Sequence, residues 1–329
     1  MAEREYPSNP AQAALRLFLT WLGQRYARST RAADGTVADG VLRARITVGR
    51  RWSLALVVLD TLSPDTNITF EAARAAVEHR LDAAGRSVAL WVPRGAPLPA
   101  EEPGLSELAL AVEAARPLND GRLEVRRPVE VHLRRTATTG SVVTVLGGLS
   151  DHWAAFTNRV PGTFNLDSRR LYRLPASVEE REALIDRIVS AAAQPEADEV
   201  QAIPAEDAWT ANDLDEGGSA VLGTPLPETD EWSAALRRNL RKLLRDAGPA
   251  GGSGADATAL LVLGAATYAN EEKLSWALRG MDPSLYAGYD IIAVAADGVV
   301  KPLLEPRQGT LPWDVPPPGL GTAPPGGDA

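Results

Sequence analysis

Apolar and polar positions along the first half of the chain divide it into short elements. In "NPAQAALRLFLTWLGQRYARST", Leu15, Phe18, Leu19 and Leu22 recur at helical spacing, with Arg16 and Arg25 off the stripe. Asn9 is the expected cap and Pro10 the first helical residue. "DGVLRARITV" then sets Val41, Arg43 and Arg45 against Leu42, Ala44 and Ile46, the alternation of a half-buried strand. "RWSLALVVLD" is apolar on both faces, as an interior strand is. Gly49-Arg50-Arg51 joins the two as a hairpin. "TFEAARAAVEHRLDAAG" is a helix closed by Gly85, "RSVALWVP" a strand ended by Pro93, and "GLSELALAVEAARPL" a further helix.

A second block follows. "LEVRRPVEVHLRRT" and "SVVTVLGGL" read as strands joined by the turn "ATTG", and Ser150 as the cap of a short helix ended by Pro161-Gly162. "TFNLDSRRLYRLP" is extended, and Ser177 caps the helix "SVEEREALIDRIVSAAA". Residues 191–231 are poor in apolar residues and read as an acidic loop or insert. After it come the amphipathic helix "EWSAALRRNLRKLLRDAG", the link "PAGGSGAD", and a strand, helix and hairpin with Asp297-Gly298 as its turn. The tail from Pro306, rich in proline and glycine, is expected to be disordered. The expected fold class is α/β, a mixed sheet with flanking helices. Its parts are an α/β block over 1–118, a β-hairpin and helix block over 119–190, the acidic insert over 191–231, a C-terminal unit over 232–305, and the tail over 306–329.

Charge changes this picture more than composition does. The net charge is −9, but residues 191–235 hold eleven acids and no lysine or arginine, which leaves the rest at −9 + 11 = +2. Residues 1–60 carry nine arginines and five acids, and 121–173 nine arginines and four acids. The body is mildly basic with one acidic stretch, a segregation that points to charged partners or to internal pairing. With no cysteine in the chain, disulfides, thiol catalysis and cysteine-type zinc are excluded. "MAEREYPSNP" is no signal peptide and no apolar run reaches the ~20 residues of a membrane span, so a cytoplasmic location is expected.

The densest polar and aromatic stretch is "GLSDHWAAFTNRVPGTFNLDSRRLYRL". Asp151, His152 and Trp153 fall in a first helical turn, and Asn158, Arg159, Asp167, Arg169, Arg170 and Arg173 follow. Such a set clamps phosphates or a partner's carboxylates, with Trp153 or Tyr172 stacking on a base. The structural alternative has Asp151 stabilising the helix start and Trp153 with Phe156 in the core. His152 has no partner at metal-ligand spacing in His79 or His132, so no metal is assigned. Gly251, Gly252 and Gly254 follow no strand and precede no Gly-Lys-Ser/Thr, so they make no nucleotide loop. Arg237, Arg238, Arg241, Lys242 and Arg245 spread around much of one helix, more in the manner of a solvated face than of a nucleic-acid contact.

Over residues 11–93 the element order helix, strand, strand, helix, strand resembles the core of restriction-endonuclease-like proteins, the PD-(D/E)xK superfamily. That resemblance implies Mg²⁺ held by an acid on each hairpin strand, and a lysine two residues after the second acid. Asp39 stands where the first acid belongs, Asp60 ends the second strand, and Asp65 follows Pro64 beyond both. Thr61 and Leu62 follow Asp60, and no E-x-K or D-x-K is near. Asp60 is therefore expected to be a turn residue and the fold, if nuclease-like, to be catalytically dead.

Function is expected to be that of a non-enzymatic subunit of a bacterial assembly, of a nucleic-acid-handling, defence or restriction kind, with other protein subunits as partners and no cofactor. The alternatives are an Mg²⁺-dependent nuclease using Asp39, Asp60 and Asp65, and an interaction scaffold with no nucleic-acid role whose arginines pair with the acidic stretch.

Overall fold

The computed structural model describes residues 10–32, 35–38, 41–61, 68–194, 199–214, 217–224, 232–248, 254–264, 278–306 and 309–314. The chain is α/β. It divides into two compact units, one of residues 64–229 and one of residues 10–63 with 230–329, so the first is inserted into the second.

The discontinuous unit begins with α1 (Pro10–Tyr26), the short strands β1 (Thr30–Ala32) and β2 (Thr36–Ala38), and the hairpin β3 (Val41–Val48) and β4 (Trp52–Asp60). It resumes with α5 (Trp232–Ala247), β12 (Ala257–Leu263), β13 (Ile291–Ala296) and β14 (Val299–Leu304). Its sheet runs β1-β3-β4-β12-β13-β14, with β2 also on β3. β4, β12 and β13 are mutually parallel, while β3 and β14 pair antiparallel at either side. The alternation read for β3 holds from Leu42 onward, with Leu42, Ala44 and Ile46 buried and Arg43 and Arg45 exposed, while Val41, read on the arginines' side, is buried in the core. β4 is interior as its two-sided apolarity requires. Leu59, Leu260, Val262, Ile292 and Val294 form one core with Leu240, Leu243 and Leu244 of α5. Arg43 closes that helix by donating to the carbonyls of Asp246 (2.8 Å) and Ala247 (3.1 Å), the charge sense that a helix C-terminus favours. Asp297 (φ +51°) and Gly298 (φ +82°) make the expected tight hairpin turn.

The inserted unit holds α2 (Ile68–Ala83), β5 (Val88–Trp91), α3 (Gly104–Glu113), β6 (Arg116–Pro117), β7 (Leu123–Ala137), β8 (Ser141–Gly147), β9 (Gly162–Ser168), α4 (Val178–Ala192), β10 (Gln201–Asp213) and β11 (Ala220–Leu222). The sheet order is β11-β5-β10-β7-β9-β8, with β6 on β7. Ser177 caps α4 as expected, its hydroxyl accepting from the Glu180 amide at 3.2 Å. Phe156, Phe164, Leu166, Leu184 and Ile188 build one core region, and Val77, Leu90, Leu108, Val125 and Trp209 another.

Four expectations need correction. β5 pairs with β10 and β11 rather than joining the β3–β4 hairpin, so the block expected over 1–118 is shared between two sheets. Within the discontinuous unit the order is instead α1, β1, β2, β3, β4, α5 and β12, with the whole insert between β4 and α5. β7 and β8 are not a hairpin: β9 lies between them, antiparallel to β7 and parallel to β8. A turn fits either arrangement, and only the pairing of Phe164 and Leu166 with both neighbours chooses.

The fourth concerns the acidic stretch 191–231, which carries the 13-residue strand β10 at the middle of the sheet. Small residues hid its period: Ile203, Ala205, Asp207, Trp209 and Ala211 are all buried, and two are alanine. Its carboxylates are used rather than mutually repelling, since Glu206 meets Arg126 (2.9 Å) and Asp213 meets Arg86 (4.0 Å). The tail is ordered in part: Leu311 and Trp313 are buried, and Arg28 donates to the Trp313 carbonyl at 3.1 Å. Residues 307–308 and 315–329, and the mobility expected of them, lie outside the described residues.

Candidate interaction surface

The chain between β8 and β9 decides the fate of the 148–174 stretch. Gly147 (φ +94°) and Gly148 let it pass under the segment after β9, for a Cβ at Gly148 would lie 2.0 Å from the Leu171 carbonyl. The Leu149 amide donates to Ser168 Oγ (3.1 Å), whose own hydroxyl donates to the Leu146 carbonyl (2.7 Å). Ser150–Ala155 is one 3₁₀ segment rather than the short α-helix expected, and Ser150 does not cap it. The Phe156 amide donates to the Trp153 carbonyl at 3.1 Å, yet only one of the two rings is covered: Phe156 is buried and Trp153 is 57% exposed. The reading that placed Trp153 in the core is overturned. Asn158 adopts φ +64°, a conformation asparagine tolerates, and its amide donates to the Ser141 carbonyl at 3.1 Å. Asp151 is exposed and His152 half-buried.

The arginines of this stretch do not converge. Arg159 donates to Asp186 of α4 (2.6 Å) and to the Ala155 carbonyl (3.3 Å). Arg169 folds back on Asp167 through Nε (2.9 Å) and Nη2 (2.5 Å), which holds the Asp167 carboxyl at about 2. Arg173 reaches Thr210 Oγ1 (3.4 Å), and Arg170 is exposed. As a phosphate clamp the set is largely spent on partners within the fold.

Sequence reading missed the group that fixes the 169–176 segment. Asp207 of β10 is 1% exposed and accepts from the amides of Tyr172 and Arg173 and from Trp209 Nε1, each at 2.8 Å. The Arg127 guanidinium stacks over the Trp209 ring at 4.2 Å. Burial pushes the Asp207 carboxyl up, against the pull of its three donors, and pushes Arg127 down. The period-two run Ile203, Ala205, Asp207, Trp209, Ala211 was the available signal.

Sequence reading also missed the apolar exposure. Of the eight large hydrophobic side chains most exposed among the described residues, Val142 (49%), Leu146 (52%), Trp153 (57%) and Tyr172 (37%) fall between residues 142 and 172, on β8 and in the chain that follows it. On the β8–β9 ladder Val142 stands beside Thr163 and Leu146 beside Asp167. Polar neighbours around exposed apolar side chains are the composition of a contact surface.

Asp60, the acid expected at a turn, is the last residue of β4, buried, and aligned with Leu263 of β12. Thr61 follows it and donates its hydroxyl to the Leu263 carbonyl at 2.7 Å. Asp39 and Asp65 lie outside the described residues, so of the three acids that the nuclease resemblance singled out, only Asp60 is placed. Among the described residues no helix is long and apolar enough to cross a membrane. No family model, curated protein or solved structure matches the chain.

Proposed function

We propose that the chain is a non-enzymatic subunit of a bacterial, cytoplasmic protein assembly, and that it meets its partner through β8, the β8–β9 connection and the segment around Tyr172. The exposure of Trp153 carries this reading: a tryptophan left 57% in water, in the connection that follows β8 with its exposed Val142 and Leu146, is the residue type that anchors interfaces. The pairing of Glu206 with Arg126 and of Asp207 with the Arg173 amide supports an interaction scaffold over a phosphate-binding block at 121–173.

The test is affinity capture of the tagged chain from its own host, with crosslinks mapped by mass spectrometry. Crosslinks should concentrate in 141–173. Trp153→Ala should weaken capture about 30-fold, the ~2 kcal/mol of an interface anchor, without changing the thermal midpoint. Capture indifferent to Trp153→Ala, with crosslinks elsewhere, overturns the reading.

One observation favours nucleic acid as a second ligand, and it lies on α5 rather than at 148–174. Arg237, Arg238, Lys242 and Arg245 are exposed on that helix, with Leu240, Leu243 and Leu244 turned inward. If this face binds DNA or RNA, affinity falls steeply with salt, and the slope drops by about one for each cation removed. A flat salt response removes the second reading. Metal-dependent cleavage is expected to be absent. Cleavage in Mg²⁺ or Mn²⁺ that Asp60→Ala abolishes would restore the nuclease alternative.

A further inference from the structure

β8 is the end strand of its sheet, and among the described residues no strand pairs with its outer side. Sheet ends are ordinarily blunted by shortness, charge, proline or a bulge. The other ends follow that rule. β1 has three residues including Arg31, β11 has three, and β14 carries Lys301 and Pro302 and pairs through a register shift. β8 has seven residues, Ser-Val-Val-Thr-Val-Leu-Gly, without charge or proline, in unbroken register with β9. Nothing in this strand discourages further pairing.

Its sequence and hydrogen-bond parity also select what would pair. The Gly162 amide donates to the Gly140 carbonyl and the Gly148 amide to the Ser168 carbonyl. By the alternation of a parallel ladder, the even-numbered residues of β8 therefore turn their backbone groups to β9. Val143 and Val145 turn theirs outward, and the Ser141 carbonyl on that side is taken by the Asn158 amide. Antiparallel pairing with an identical strand about a two-fold axis at Thr144 places Val143 opposite Val145 of the other copy. Those are the two residues whose N–H and C=O groups are free of β9, so they form the hydrogen-bonded pairs. The same axis places Val142 opposite Leu146 and Thr144 opposite Thr144 on the exposed face, and no charge faces a like charge across the strand junction. One strand satisfies both halves of the interface, as an isologous contact demands.

We infer that a second copy of this chain docks on β8, giving a two-fold dimer with one continuous sheet through both inserted units. This rests on the subunit reading above and names one partner for it.

Analytical ultracentrifugation of the full chain, from about 1 to 100 µM, should show a reversible monomer–dimer equilibrium, the range expected of an interface at the small end of the size scale. Thr144 is exposed, so Thr144→Lys and Thr144→Glu should fold, as circular dichroism will check, and each alone should be monomeric because like charges meet at the axis. Mixing the two variants should restore the dimer, a result that only this register gives. Val145→Pro, which deletes an outward N–H and leaves the β9 bonds intact, should raise the dissociation constant at least tenfold. A wild-type chain that stays monomeric at ~100 µM, or charged variants that dimerise as the wild type does, overturns the inference. A monomer whose Trp153-dependent capture persists overturns only the two-fold contact and leaves the subunit reading standing.

Discussion

Arg126→Ala is expected to cost about 3–5 kcal/mol and to lower the midpoint of thermal unfolding by roughly 10 °C. The Arg126 guanidinium holds three carboxylates: Glu124 through Nε (2.8 Å) and Nη2 (2.6 Å), Glu206 through Nη1 (2.9 Å), and Glu180 through Nη1 (2.8 Å) and Nη2. Its side chain is 14% exposed and that of Glu124 only 5%. Truncation leaves Glu124 buried with the Ala176 amide (2.7 Å) as its remaining contact of those described, and with two further carboxylates close by.

The pH dependence should change sign with it. In the wild type, the hydrogen bond from Arg126 holds the Glu180 carboxyl below its usual value. A lowered folded-state pKa contributes stability above the unfolded value near 4.5, and that contribution disappears as the pH falls through the folded value. In the variant the clustered carboxylates are raised instead, so its deficit against the wild type grows as the pH rises from acid toward neutral. Arg126→Lys, which keeps the charge and loses the fork, should fall between. A midpoint shift below about 1 °C for Arg126→Ala would show that the network contributes little.

Trp209→Ala is the second large effect, again about 3–5 kcal/mol. Trp209 is fully buried among Val88, Leu90, Leu108 and Val125. Its loss opens a cavity, strips the ring from beneath Arg127 and removes one of the donors to Asp207. Trp209→Phe separates these contributions, because it retains most of the volume and loses the N–H, for about 1–2 kcal/mol. Asp207 is raised in the folded state, so its contribution favours folding below the unfolded value near 3.8 and is lost as the pH rises through the folded value. Removing a donor raises it further, so the penalty of Trp209→Phe should be smallest at about pH 4 and grow toward pH 7. Thermal unfolding of both variants at several pH values checks this. A Trp209→Phe penalty that shrinks with rising pH would contradict the assigned role of the Trp209 N–H.

Exposed Trp153 and buried Asp207 show where sequence reading stops. Spacing three apart put Trp153 and Phe156 together in the core, but only Phe156 is buried, because what the rest of the fold covers is not set by their spacing. Eleven acids without a basic residue suggested a stretch unable to fold on itself. The arginines that neutralise three of them, Arg126, Arg86 and Arg127, lie far away along the chain.

Periodicity was enough for α1, for the β3–β4 hairpin, for α4 with its Ser177 cap and for the Asp297-Gly298 turn. In each, the deciding interactions join residues a few positions apart, within reach of local pattern. The α/β class followed from the same local signals. Strand order belongs to another kind of interaction. The placement of β9 between β7 and β8, of β5 beside β10, and of the whole unit 64–229 between β4 and α5 depends on backbone pairing and side-chain burial across long stretches of chain. A strand carries the same alternation whichever neighbour it takes, so its own residues say that it is a strand and not where it goes. The exposed edge of β8 follows from that order alone: an uncharged run such as Ser-Val-Val-Thr-Val-Leu-Gly reads as core until the sheet that would cover it is seen to end there.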